Sequence, residues 1–298
     1  MIPLFDLHCD TLYELYLKNE AFDTNSLHIS KCKAQNFAPY IQIFAIWSNH
    51  SLSNDDAFVN FFNVLNYARK NGFSFSSTPI LDQNTSILSV EDARLINGDI
   101  KRLDTLYKCG VKTLTLCWKD ISIIGGAWNT MVGLTDFGYE VVKRCFELGI
   151  IPDISHASIL TSENAIECAR TNKRPIIASH SNSYTVCQHK RNLSDELFLE
   201  ITKIGGLIGI SLAGEHISTN NNASIKDILN HIYHYLSLGG EKIICLGCDL
   251  DGVTSLPREI SSINDLNKLF LEVERNFGHD FAIKLFFENA FKFFSKNL

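Results

Sequence analysis

Eight short apolar runs punctuate this chain: Ile2–Leu7, Tyr40–Ile46, Ser86–Val90, Lys112–Cys117, Ile151–Ile154, Pro175–Ala178, Leu207–Ile210 and Lys242–Gly247. Each is too short for a buried helix, rich in Ile, Leu or Val, and bounded by Gly, Pro or polar residues. Each therefore reads as a strand covered on both faces. Amphipathic stretches lie between them at Asp55–Asn71, Thr135–Leu148, Ser158–Thr171, Ser194–Ile204 and Ile225–Leu238, and a Phe-rich segment, Asp280–Lys296, comes last. Gly72, Gly149 and Gly239 stand just past three of them, where a left-handed residue stops a helix. Strands alternating with helices predict an α/β fold, a closed parallel (β/α)8 TIM barrel ringed by helices. The rival, an open doubly wound sheet, usually carries a Gly-rich phosphate turn after an early strand. Here the first run leads into Asp6-Leu-His-Cys-Asp10 instead. The 298 residues suit one barrel and show no linker or repeat, so 1–298 is expected to be a single domain. Phe73–Asn84 and Ile121–Gly133 read as long loops, and long loops after barrel strands build active sites.

Composition narrows the partners. The net charge is −6, and the densest basic stretch is His189-Lys190-Arg191, which argues against nucleic acid and against an anionic membrane surface. No basic-then-apolar leader and no run of 18 apolar residues is present. A soluble, cytoplasmic protein is the expectation. The nine cysteines are odd in number and scattered, as expected of free thiols in a reducing compartment. Cys245 and Cys248 have C-x-x-C spacing but lack the second pair a zinc knuckle needs.

The chemistry gathers at the strand ends. His8 and Asp10 follow the first run, Glu91 the third, Trp118 the fourth, His156 the fifth, His180 the sixth, and Asp249 and Asp251 the eighth. In a (β/α)8 barrel these ends converge on one face. On a strand, residues two apart share a side, so His8 and Asp10 can grip one cation. Alone, the pair reads as readily as a surface histidine and a helix-capping aspartate. His156 and His180 each end an apolar run with Ser-His and are separated by one helix, which makes neighbouring strands and a shared cation the better reading of the two together. Glu91 could bridge two cations, or could be an exposed glutamate opening a helix. Asp249 ends a run too apolar to hold an unpaired carboxylate without a metal, a partner or a proton. Two adjacent cations would account for the set: they would lower the pKa of a shared water to give a bridging hydroxide, with Asp249 placed to shuttle the proton.

With these residues on view, the chain resembles the membrane dipeptidase (renal dipeptidase) family of zinc peptidases, an amidohydrolase-like barrel. The resemblance runs nearly end to end. It rests on Asp6-Leu-His-Cys-Asp-Thr11, Leu88-Ser-Val-Glu-Asp92, Gly110-Val-Lys-Thr-Leu-Thr-Leu116, Gly133-Leu-Thr-Asp-Phe-Gly138, Asp153-Ile-Ser-His-Ala-Ser158, Ala178-Ser-His-Ser-Asn182, Lys190-Arg-Asn192 and Gly247-Cys-Asp-Leu-Asp-Gly252, in that order. It implies two Zn2+ ions per chain. His8 and Asp10 would hold one, His156 and His180 the other, and Glu91 would bridge them. Asp249 would be the proton shuttle, and Arg191 would hold the C-terminal carboxylate of a dipeptide. Family members are often dimers, so the resemblance allows a homodimer, but the sequence carries no interface signal. The chain departs from the family at Trp118, where many members carry a histidine that contacts the substrate's tetrahedral oxygen. Other members carry Trp followed by Asn; here Lys119-Asp120 follows. Indole donates one hydrogen bond and carries no charge. The resemblance thus implies a catalytic barrel that hydrolyses dipeptides. Two alternatives stand beside it: the same chemistry on another small amide (a D-amino-acid dipeptide, a Cys-Gly conjugate or a β-lactam-like compound), and a barrel that binds a ligand without catalysis.

Overall fold

The computed structural model describes residues 1–220 and 222–298. All eight expected strands form, and they close on themselves in chain order: β1 Ile2–Asp6, β2 Phe37–Ile46, β3 Thr85–Glu91, β4 Val111–Thr115, β5 Ile151–Asp153, β6 Ile177–Ala178, β7 Leu207–Ile210 and β8 Ile244–Leu246. Every neighbouring pair is parallel, β1 with β8 included.

The helices are α1 Thr11–Lys18, α2 Asn54–Lys70, α3 Ile100–Cys109, α4 Asp136–Leu148, α5 Ile159–Asn172, α6 Asp195–Lys203, α7 Gly214–Ile217, α8 Ile225–Ser237, α9 Leu266–Phe277, α10 His279–Ile283 and α11 Asn289–Asn297. Ser53, Thr135, Ser158 and Ser194 cap α2, α4, α5 and α6, each accepting a backbone N–H three residues on. Besides α1 and the short α7, two longer helices lie outside the amphipathic stretches read from the sequence. One is α3, which buries only Leu103 and Leu106, and the other is α9, which buries Leu266, Leu269, Phe270 and Val273. The loop Phe73–Asn84 precedes β3, so it belongs to the end of the barrel away from the strand C-termini and builds no active site.

Alternation along the strands sorts the core into two clusters. Leu4, Phe44, Leu88, Leu246 and their neighbours pack outward with the helices. Phe5, Leu7, Ile41, Ile43, Ile87, Ile151, Ile177, Leu207 and Cys245 fill the barrel, and Phe287, Ala290, Phe293 and Phe294 join them. The Phe-rich C-terminal segment thus plugs the barrel; it contains a π-helical turn at Lys284–Glu288 between α10 and α11. Higher in the barrel the strands carry small residues. A side chain on Gly247, just past β8, would come within 1.7 Å of the carbonyl oxygen of Ser179, just past β6, so the close approach of the two chain segments requires glycine there.

All nine cysteines are free, and Cys245 Sγ donates to the Ile208 carbonyl, which leaves the C-x-x-C pair an ordinary piece of the core. Among the described residues, no helix is long and apolar enough to cross a membrane.

His231 on α8 ties down two loops above the barrel. Its Nδ1 accepts the Ser183 N–H at 3.1 Å, and its Nε2 donates to the Ile217 carbonyl at 2.9 Å. Burial pushes its pKa down to about 4. The folded value lies below the unfolded one, so the unfolded chain takes up more protons between the two. Stability present above pH 6.5 is lost as pH falls toward 4, by about 3 kcal/mol from this residue. Urea unfolding at both pH values should show a loss smaller by that amount in His231→Gln than in the wild type.

Candidate metal centre

Six donor side chains converge at the C-terminal ends of the strands. Glu91 is the last residue of β3 and lies on the inward face with Ile87 and Ser89. It is buried, not the exposed helix-opening residue that its sequence also allowed. Its Oε1 lies 3.0 Å from His156 Nε2, 3.6 Å from His180 Nε2 and 3.7 Å from His8 Nε2. His156 and His180 face each other with their Nε2 atoms 2.9 Å apart. On the other side, His8 Nε2 lies 3.6 Å from Asp10 Oδ2 and 3.8 Å from Asp249 Oδ1. Ligands about 2.0–2.2 Å from a common ion stand at such separations. Three sets of three donors are close enough to hold a cation: His8, Asp10 and Glu91; Glu91, His156 and His180; His8, His180 and Asp249.

His8 and Asp10 reach each other by a different route from simple strand alternation. β1 ends at Asp6, and Asp10 has left the extended conformation at φ −100°, ψ 14°. Asp10 occupies the N-cap position of α1, yet its side chain makes no capping bond and turns to the centre. Strained backbone serves the same end. His156 and Asp249 sit at φ +68° and +59°, a region that residues with a side chain seldom occupy. Gly252 closes the turn after Asp249 with its N–H on the Asp249 carbonyl. A Cβ there would lie 2.1 Å from Asp10 Oδ2 and 2.5 Å from Asp249 Oδ1, so only glycine lets both carboxylates approach.

The protonation pattern follows from burial and from the neighbours. Burial alone would push the His8 imidazole down, but Glu91, Asp10 and Asp249 outweigh it and hold it up at about 10. Burial drives His156 and His180 well below the usual histidine range, helped by Arg191 and by each imidazole's cationic neighbours. Glu91 is pushed up by burial and by Asp10, and Asp249 is pushed up to about 7, mainly by burial. Crowded carboxylates in a dry site are costly without a compensating cation. His8 Nε2 and Asp10 Oδ1 are also buried with no hydrogen-bond partner among the described residues. A donor set of neutral imidazoles, carboxylates and orphaned buried atoms fits divalent metal ions.

Asp153, which carries no role in the sequence reading beyond its place in a motif, organises the His156–His180 side. It accepts the backbone N–H groups of Ser155 and Ser179 at Oδ1, and the hydroxyls of Thr115 and Ser179 at Oδ2. Ser179 Oγ gives its proton to Asp153, so it accepts from His180 Nδ1 at 2.7 Å. His180 is thereby left with its Nε2 lone pair facing Glu91. The signal was available in the sequence, since Asp153 lies two residues before Ser155 and inside the barrel.

Arg191 is buried, not a solvated surface charge, and its Nη2 has no partner among the described residues. Burial pulls its pKa down to about 10 against the opposing pull of Asp249 and Glu91. Beside it the rings of His189 and His216 stand 4.6 Å apart, and burial together with Arg191 pushes His216 down to about 2. Trp118 lies half-buried past β4, its ring 6.0 Å from His156, 5.1 Å from Trp47 and 4.7 Å from His50. Asp92 accepts from His50 Nε2 at 2.8 Å. His50 and Trp47 come from the loop after β2 and His216 from α7, and nothing in their spacing marks them. Asp251, which also follows β8, turns away from the donors and accepts the Thr11 hydroxyl at 2.6 Å.

Residues 1–297 match the family model for membrane dipeptidases, peptidase family M19. The chain belongs to that family. It is therefore a metallodipeptidase by kinship, a hydrolase of peptide bonds built on the metallohydrolase barrel. Solved structures share this barrel fold over almost the whole length. A metallopeptidase from Rhodobacter sphaeroides, liganded with a phosphinate mimic of the dipeptide L-Ala-D-Ala, is 22% identical with a TM-score of 0.89, covering 100% of this chain and 99% of its own. Dipeptidase AC, an M19 metallopeptidase, is 22% identical with a TM-score of 0.91, covering 99% and 98%. The probable dipeptidase PvdM from Pseudomonas aeruginosa is 16% identical with a TM-score of 0.87, covering 99% and 95%.

Proposed function

We propose that the chain hydrolyses the single peptide bond of a dipeptide at a centre of two zinc ions. His8 and Asp10 would hold one ion and His156 and His180 the other, with Glu91 within reach of both sets. One observation carries the reading: a single carboxylate oxygen of Glu91 stands 3.0–3.7 Å from three imidazole nitrogens contributed by three other strand ends. Bound there, divalent ions would supply Lewis acidity at a scissile carbonyl and would lower the pKa of a bound water.

The chain's own residues do the rest. Asp249 takes the proton of the attacking water at its carboxylate and delivers it to the leaving amine. Burial favours its acid form, and the neighbouring His8 favours its carboxylate; a group poised near 7 can serve in both directions. Arg191 offers a buried, unpaired guanidinium edge to the C-terminal carboxylate of the substrate. Only a substrate one residue beyond the scissile bond can place its carboxylate there, which selects dipeptides over longer chains. Trp118 walls the site beside His156 and offers one neutral donor.

The first assay is turnover of L-Ala-L-Ala, L-Ala-D-Ala and Ala-Ala-Ala by zinc-loaded protein. The phosphinate bound by the Rhodobacter relative makes the mixed-chirality dipeptide a necessary member of the panel. Cleavage of a dipeptide but not the tripeptide is expected; cleavage of the tripeptide would refute the Arg191 role. Arg191→Met is expected to lower kcat/KM by roughly 10²-fold, chiefly through KM, because the lost contact holds a part of the substrate away from the reacting bond. Steady-state kinetics on the two proteins decides it.

A further inference from the structure

The barrel end opposite the metal centre carries a concavity of its own. It measures about 450 Å³ and opens where the chain enters β6, β7 and β8, beside the C-terminal segment. Lys173, Lys242, Lys284, Lys292 and Lys296 line it, and among the described residues no aspartate or glutamate does. These lysines come from three separate segments, so no basic run in the sequence announces them. Lys284 pairs with Glu241 at 2.5 Å and Lys292 with Glu288 at 2.7 Å. Lys173, Lys242 and Lys296 are exposed and form no ion pair among the described residues. Lys173 ends α5 and Lys296 lies in the last turn of α11, where a cation suits the helix dipole. That reason does not extend to Lys242, Lys284 and Lys292, and it does not keep carboxylates out of the wall. Pro175, Ile204, Ile243 and Phe293 form an apolar floor, and Gly205 and Gly206 leave the stretch between α6 and β7 without side chains.

We propose that this hollow binds a small, multiply charged phosphate compound of the nucleoside triphosphate class. In a chain of net charge −6, five ammonium groups around one hollow make a local positive field that draws a small anion inward. Lysine ammonium groups serve as point donors to phosphate oxygens, and Pro175, Ile243 and Phe293 offer the base an apolar face. The volume lies in the range of small-ligand sites. The negative charge of the chain as a whole opposes an extended polyanion such as nucleic acid or a lipid surface. The proposal is independent of the dipeptidase reading, since none of the metal-donor residues lines this hollow.

The test titrates the zinc-loaded full chain with ATP, adenosine and inorganic tripolyphosphate in a calorimeter, and counts zinc in the protein afterwards. The same titrations are run on Lys173→Glu combined with Lys242→Glu. A control pair, Lys70→Glu with Lys101→Glu, changes the net charge equally at exposed positions outside the hollow. A thermal unfolding scan verifies that both variants fold. Saturable binding of one ATP per chain is expected, tighter than tripolyphosphate by at least about 3-fold through burial of the base, with no measurable binding of adenosine. Affinity for ATP should fall at least about 10-fold in the hollow variant and by much less in the control, and it should weaken as salt rises. No saturable ATP binding, or an equal loss in the two variants, overturns the proposal. Unchanged affinity in the hollow variant also overturns it and moves the nucleotide elsewhere on the protein. Tripolyphosphate binding as tightly as ATP overturns the role given to the apolar floor. A DNA oligonucleotide or phosphatidylserine vesicles bound more tightly than ATP, with that binding lost in the hollow variant, overturn the small-ligand assignment and give the face to a polymer or a membrane.

Discussion

Chelation is expected to abolish dipeptide turnover, by at least about 10³-fold, and to lower the unfolding temperature by roughly 10 °C or more in the same sample. Both effects have one cause. Asp10, Glu91 and Asp249 are buried around His8, each with an oxygen 3.6–3.8 Å from its Nε2, and together they hold its imidazole up at about 10. With cations removed, the site must keep carboxylates dry or take up protons, and burial already pushes Glu91 and Asp249 up. A ligand held at 1,000 times its dissociation constant contributes about 4 kcal/mol to the folded state, and two ions contribute twice that. Zinc counted by mass spectrometry before and after chelation, with calorimetry and an assay on each sample, makes the measurement. About two ions per chain and coupled losses support the centre. Turnover that survives in demonstrably metal-free protein sinks the proposed function, and a stability that does not change removes the ligand assignment.

Replacing Asp249 by Asn should cost about 10²- to 10⁴-fold in kcat while leaving the metal content near that of the wild type. Asn keeps the size of the side chain and the turn at φ +59°, and it tolerates that backbone region well. It cannot carry a proton between water and amine. The geometry also permits the other role, since Asp249 Oδ1 stands in a three-donor group with His8 and His180. Metal analysis separates them: a shuttle leaves two ions in the variant, a ligand leaves fewer. The pH profile gives a second readout. The carboxylate is the working form for water activation, so kcat/KM falls as acid protonates Asp249. Burial sets this near 7 in the bare protein, and bound cations draw it lower. The acid limb therefore lies below 7 and disappears from the residual rate of Asp249→Asn.

Much of this was legible in the chain. Strands covered on both faces leave uninterrupted apolar runs, and eight of them in alternation with helices have few other ways to bury their surface. That reasoning places the strand ends on one face, and with them His8, Glu91, His156, His180 and Asp249. It worked because each of these side chains follows an apolar run by no more than two residues, and the direction of the run is fixed. It worked less well where the chain leaves regular structure. Asp10 reaches its place through a non-extended backbone after β1, and Gly252 matters for a close approach of two side chains distant in sequence.

The sequence by itself determined the number of strands, their order, and which residue type stands at each strand end, because local periodicity and strand direction are properties of short segments. The tertiary structure alone decided what those side chains meet. The sharing of one Glu91 oxygen among three imidazoles, the Asp153–Ser179 pair that fixes the tautomer of His180, and the burial of Arg191 beside His216 all depend on contacts between segments tens of residues apart. Protonation likewise is set by desolvation and by the sum of neighbouring charges. No window along the chain contains that information, and it comes into being only when the barrel closes.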